Sequence, residues 1–228
     1  RPELRSKPGW SGYDGAMKRI ISERPKFTPG THFLYSDLNF QILGELVRRV
    51  SGKAIDEYCA ENIFRPLGMK DTMFIPPADL RGRIAPTEYI RVSNRFLLGD
   101  VHDPSALKMG GIAGHAGLFS TADDLSVFAK MILNNGAANG IKILSGQSVK
   151  KMTSSQSPRG KNAVRGLGWD IDSPFSCNRG ELFPRGSFGH TGYTGVSIWI
   201  DPLSRTYVII LTNRVHPDGK GDARKLYG

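Results

Sequence analysis

The strongest constraint on this chain lies near its C-terminus. Two β-branched and aromatic runs, "VSIWID" at 196–201 and "TYVIILTN" at 206–213, are separated only by "PLSR". Such runs on either side of a short turn read as an antiparallel hairpin buried in a sheet. Before about Arg165 the texture is helical, with apolar residues recurring every three or four positions. The alternation of strands and helices that a doubly wound parallel sheet needs is absent. The pattern predicts an α+β fold in one domain: a mainly helical part over 1–165 and antiparallel strands over 166–228.

Within the helical part, 13–24 places Met17, Ile20 and Ile21 on one face. In "YSDLNFQILGELVRRVSG", Leu38, Ile42, Leu46 and Val50 stand four apart and predict one buried stripe. Ser36 or Asp37 can cap that helix, and Gly52 can close it. Residues 55–64 continue helically until "RPLGM" forces a turn, and a span rich in Pro and Gly follows over 70–120. Thr121 and Asp124 make a T-x-x-D capping pattern before a helix that Gly136 ends. No internal repeat or low-complexity tract interrupts the chain.

Composition narrows the classes of function. At 228 residues, 39% hydrophobic and with a mean hydropathy of −0.30, the chain reads as soluble and globular. No run approaches the roughly 18 apolar residues that span a bilayer. The first residues, "RPELRSKPGW", lack a signal-peptide core and an initiator Met, and read like the middle of a protein. Net charge is +10, but the 31 Lys and Arg are scattered, in pairs at most such as Arg48-Arg49 and Lys150-Lys151. That distribution predicts a basic solvated surface and no nucleic-acid partner. Cys59 and Cys177 form neither a disulfide framework nor a metal-ligand spacing, and no cofactor or metal is expected.

Three stretches carry chemistry. Tyr35-Ser36-Asp37 precedes a helix, where terminal amides favour a phenolate and a nearby ammonium would make Tyr35 a usable base. An ordinary capped helix start explains the same triplet. In His190-Thr191-Gly192-Tyr193, a glycine at a strand end admits close approach to the backbone. The Tyr193 amide can then donate to a developing oxyanion, with His190 and Thr191 binding a carboxylate or steering a proton. A hairpin turn with an exposed His fits equally. The glycine-rich stretch around His115, 110–125, contains no nucleotide-binding motif after a strand.

Together and in this order, the stretches resemble the serine β-lactamase and penicillin-binding-protein superfamily, in its class C-like branch of esterases and D-amino-acid peptidases. The resemblance spans nearly the whole chain. It runs through "PGTHFLYSDLNFQILGELVRRVSGKAIDEYCAENIFRPLGMKDTMF", "AGHAGLFSTADDLSVFAKMIL", "RGLGWDID" and "GHTGYTGVSIWIDP" with "VIILTNRVHP". It implies a β-lactamase/transpeptidase-like fold and an acyl-enzyme mechanism with three motifs: S-x-x-K, a tyrosine triplet and a K-T-G-like triplet. Tyr35 matches the motif tyrosine, Asp37 takes the usual Asn position, and His190-Thr191-Gly192 stands for K-T-G. The Tyr193 amide takes the oxyanion-hole position, and His115 with the "VHDP" segment (101–104) is expected to line the cleft or to stabilise a loop. Asp in place of Asn and His in place of Lys both point away from efficient β-lactam hydrolysis. The resemblance further implies a small-molecule or peptide acyl substrate and a periplasmic or secreted protein; it leaves the oligomeric state open.

The nucleophile motif should precede Tyr35. Two S-x-x-K strings exist, Ser105 to Lys108 and Ser148 to Lys151, and neither stands where the resemblance requires it. No G-x-S-x-G elbow offers an alternative. The expectation is a truncated chain: an incomplete sheet with an unpaired edge and an exposed apolar face, inactive on its own. The competing expectation is a catalytically dead relative serving as a binding or scaffold domain.

Overall fold

In the computed structural model, residues 4, 9–158, 160, 162–223 and 226 are described, apart from the side chains of 177 and 178. The chain divides into two compact units, Arg1–Pro66 with Lys70–Ser120 and Leu67–Met69 with Thr121–Gly228.

In the first unit, α1 (Gly12–Ile21) brings Ala16, Met17 and Ile20 into a core with Leu4, Trp10, Val101, Ala106, Met109 and Ala113. Ile21, expected on that face, is the last residue of the helix and is exposed. Helix α2 (Asp37–Ser51) ends at Gly52, whose left-handed φ of 73° lets its amide close on the Arg48 carbonyl at 2.9 Å. Helix α3 (Ile55–Cys59) runs into one π-helical turn over Ala60–Phe64. Helix α4 (Pro104–Lys108) interrupts the irregular span and is capped by the Asp103 carboxylate.

Helix α2 overturns one expectation. Its inner face is Asp37, Gln41, Gly44 and Glu45, whereas Ile42, Leu46 and Val50 are exposed, Leu46 by 53% and Val50 by 81%. Phe40 and Leu43 join them outside. The four-residue spacing specified an apolar face correctly, but not what that face meets. Of the expected stripe only Leu38 packs on the apolar core, and the rest of the helix's inner face meets a polar network and bare backbone. The Tyr13 hydroxyl donates to Glu45 at 2.8 Å, and Arg48 and Arg49 each reach the same carboxylate at 2.7 Å. A Cβ on Gly114 would fall 2.0 Å from the Phe40 carbonyl oxygen, so the glycine-rich stretch lies against the helix backbone to backbone.

The Glu45 cluster makes a pH prediction. Arg48 above all, with Arg49 and Tyr13 and against the opposing push of burial, holds the carboxyl down from 4.5 to about 2. A depressed folded-state pKa adds stability that is full above the unfolded value and lost as pH falls through the folded one. The loss therefore belongs between about pH 4.5 and 2. Because both arginines are largely exposed, the effect is on the order of 2 kcal/mol. Urea unfolding from pH 7 to 3 should show Glu45→Gln weaker at pH 7 and flatter towards acid. Parallel pH profiles for the two proteins would discard the assignment.

The second unit is built on a five-stranded antiparallel meander of β1 (Val164–Arg165), β2 (Asp170–Asp172), β3 (Phe188–Thr191), β4 (Val196–Asp201) and β5 (Thr206–Leu211), in that spatial order. The expected hairpin is β4–β5, with Val196 opposite Leu211 and Asp201 opposite Thr206. Its turn is tied by Asp201, which accepts from the amides of Leu203 and Ser204. Strand β4 buries Trp199 and Ile200, while β5 is an edge strand with Val208 and Leu211 exposed. Helix α5 (Ala122–Leu133) starts at Thr121, whose hydroxyl accepts from Asp124 as the T-x-x-D pattern predicts. It packs on the sheet with Phe128 stacked on Trp169, which meets Phe188 edge-on at 5.1 Å. Helix α6 (Gly146–Thr153) is short and carries Lys150 and Lys151 in its last turn. No helix among the described residues is long and apolar enough to cross a membrane.

Candidate active site

Tyr35, Asp37 and His115 belong to the first unit. Tyr35 is half-buried and stands one residue ahead of Ser36, the N-cap position of α2. Ser36 has extended backbone but makes no side-chain capping bond, contrary to expectation. Both Ser36 and Asp37 are buried, and Asp37 opens the first turn on the inner face. One turn further on, Gln41 approaches His115 with 3.5 Å between their nitrogens. His115 is itself buried, and its Nε2 lies 3.0 Å from Asp103. Since a carboxylate only accepts, Nε2 carries the proton of that bond. Asp103 also accepts from the Ala106 amide at 2.8 Å. Burial pushes the Asp103 pKa up, but these bonds outweigh it and the carboxyl titrates below its ordinary range. The "VHDP" segment and His115 are thus one contact, which ties the glycine-rich stretch to the start of α4.

His190, Thr191, Gly192 and Tyr193 belong to the second unit. His190 and Thr191 end β3, opposite Ile198 and Ser197. The His190 Nδ1 lies 2.8 Å from the Thr191 carbonyl, so Nδ1 carries the hydrogen and Nε2 is the basic nitrogen. Burial, the largest influence, lowers the pKa of His190 below the ordinary histidine value, and Arg165 adds to this. The ring is therefore neutral at pH 7 and supplies no fixed positive charge. Gly192 donates to Val196 at 2.8 Å and accepts from Gly195 at 3.1 Å, closing the turn. A Cβ on Gly192 would come within 2.5 Å of the Val196 side chain, so the turn itself requires glycine there. Tyr193, at the crest, is 64% exposed.

The two S-x-x-K strings are occupied otherwise. Ser105 is buried in the single turn of α4, and the Lys108 ammonium sits 4.3 Å over the Trp10 ring. Ser148 lies in the first turn of α6, with its hydroxyl 2.9 Å from that of the capping Ser145. Cys59 is a free thiol whose pKa burial raises; the side chain of Cys177 lies outside the described residues. Sequence reasoning passed over Glu45, although Arg48 and Arg49 at i+3 and i+4 were a legible signal. It also passed over Arg214, for which no local signal existed.

Comparison with known proteins identifies the family and the fold. A family model described as Beta-lactamase matches residues 2–227. A protein of Escherichia coli (strain K12), provisionally named a D-alanyl-D-alanine carboxypeptidase, is 34% identical over an aligned length of 221, with 89% of this chain and 50% of that protein covered. The chain thus spans about half the length of the curated relatives it matches. Among solved structures, a β-lactamase from Mycobacterium bovis is 27% identical with a TM-score of 0.63, over 91% of this chain and 65% of its own. The simvastatin synthase of Aspergillus terreus, 21% identical with a TM-score of 0.65 over 87% of this chain and 54% of its own, shares the fold.

Proposed function

The chain belongs to the beta-lactamase family, and on that premise we propose that it carries two of the three motifs of a serine acyl-transfer site acting on an ester or amide. The observation that carries this reading is the H-T-G triplet at the end of β3, running into a glycine turn that presents Tyr193. Tyr35, at the start of α2 in the first unit, stands at the position of the motif tyrosine.

In this reading a serine hydroxyl, from a Ser-x-x-Lys motif contributed by polypeptide outside this chain, attacks the substrate carbonyl. Its proton passes through the motif lysine and Tyr35 to the leaving amine or alcohol as the scissile bond breaks. Water then cleaves the acyl-enzyme and regenerates the serine. The tetrahedral oxyanion of each step is held by the serine's own amide and that of Tyr193. Thr191 and Gly192 line the substrate strand-wise, and His115 holds the glycine-rich stretch in place. With a neutral His190 and an acidic Asp37 where the family carries Lys and Asn, a substrate carboxylate finds little fixed positive charge. That disfavours β-lactams and favours esters and D-amino-acid peptides that present no carboxylate there, cell-wall peptides among them. Such a substrate places the protein in the periplasm or outside the cell.

The test is covalent labelling of the chain with a fluorescent penicillin and a chromogenic ester, followed by peptide mass spectrometry. No label is expected, because Lys108 faces Trp10 and Ser148 serves its helix cap. Label on Ser105 or Ser148 would overturn the nucleophile assignment.

A further inference from the structure

The turn that presents Tyr193 is held from outside itself. After β5 the chain runs back beside the turn, and three successive turn carbonyls accept from it. Thr212 donates its amide, at 3.2 Å, and its hydroxyl to Gly195; the Arg214 amide donates to Thr194 at 2.9 Å; the Arg214 Nε donates to Tyr193 at 2.6 Å. The same guanidinium lies 4.2 Å from the Tyr193 ring centre and donates to the Gly221 carbonyl at 3.0 Å. Two glycines make room for this residue. At Gly195, with φ of 109°, a Cβ would fall 2.8 Å from the Arg214 amide nitrogen, and at Gly221 it would fall 2.1 Å from the Arg214 carbonyl oxygen.

The consequence follows from peptide planarity. The Gly192 carbonyl is fixed towards the Gly195 amide. In a trans peptide the N–H opposes the C=O, so the Tyr193 N–H points away from the turn's interior. The rotation that remains is about the Tyr193 backbone, and Arg214 holds both its next carbonyl and its ring. A guanidinium can do this because its planar fork donates in two directions while stacking; an ammonium has three donors but neither a fixed fork nor a face to stack.

We propose that Arg214 is the positioning residue that fixes the Tyr193 amide for the oxyanion, a role that rests on the acyl-transfer reading above. Amide resonances and hydrogen exchange of the chain test the position directly, in Arg214→Gln and Arg214→Lys beside the control Arg205→Gln. Arg205 binds Leu133 and Asn134 instead. The Tyr193 and Thr194 resonances should move in both Arg214 variants, and exchange at Gly195 should quicken about tenfold, with the lysine restoring part of the protection and the control changing neither. If the glutamine variant does not fold, the lysine variant decides. Joined to the nucleophile segment, the same variants should lose kcat about 10- to 100-fold with KM unchanged. Resonances that stay in place in the Arg214 variants, or move as much in the control, overturn the role of Arg214 alone. A displaced amide with undiminished kcat overturns the oxyanion reading and the role with it.

Discussion

Replacing Tyr35 by phenylalanine is expected to slow acyl transfer by about 10²- to 10⁴-fold in the protein that joins this chain to a Ser-x-x-Lys segment. The substitution removes one hydroxyl and keeps the ring. Tyr35 is half-buried, outside the apolar core of its unit, so the thermal midpoint should move by no more than a few degrees. The loss falls on rate because proton transfer occurs in the transition state: kcat drops and KM holds. Single-turnover kinetics on a chromogenic ester and a D-alanyl-D-alanine peptide measure it. An undiminished acylation rate would remove Tyr35 from the site and leave the triplet as an ordinary helix start.

The hairpin was legible because its information is local. Six residues of alternating burial, a turn and six more specify β4 and β5 without reference to the rest of the chain. Helix ends were legible for the same reason: Thr121 caps α5 and Gly52 closes α2 as their chemistry requires. The H-T-G triplet and Tyr35 could be placed on a strand end and a helix start, because each sits at a punctuation mark. What the sequence did not disclose depends on residues far apart in the chain. His115 meets Asp103 and Gln41 across 12 and 74 positions, and Arg214 meets Tyr193 across 21. An isolated histidine or arginine has no periodicity to betray its partner. Glycines 114, 195 and 221 mislead in the same way, since they read as flexibility and serve as close backbone contacts.

The orientation of α2 yields the remaining large effect. A leucine buried in a core costs about 2–5 kcal/mol when truncated, and a polar replacement costs more still. On an exposed face the same change lies within about 0.5 kcal/mol. Leu43 and Leu46 are half exposed beside Phe40, Ile42 and Val50, so the pair Leu43→Gln and Leu46→Gln should leave the unfolding free energy of this chain nearly unchanged. Glutamine keeps the helix propensity of leucine and, being neutral, does not draw Arg49 from Glu45. With this apolar stripe exposed, the chain is expected to associate with itself. Removing two leucines from any contact it makes should weaken that association by at least about tenfold, as read by sedimentation velocity over a concentration series. The two measurements discriminate sharply between the faces. A large loss of stability with unaltered association would return Leu46 to a buried stripe, whereas retained stability with weakened association leaves Gln41, Gly44 and Glu45 as the face on which α2 packs.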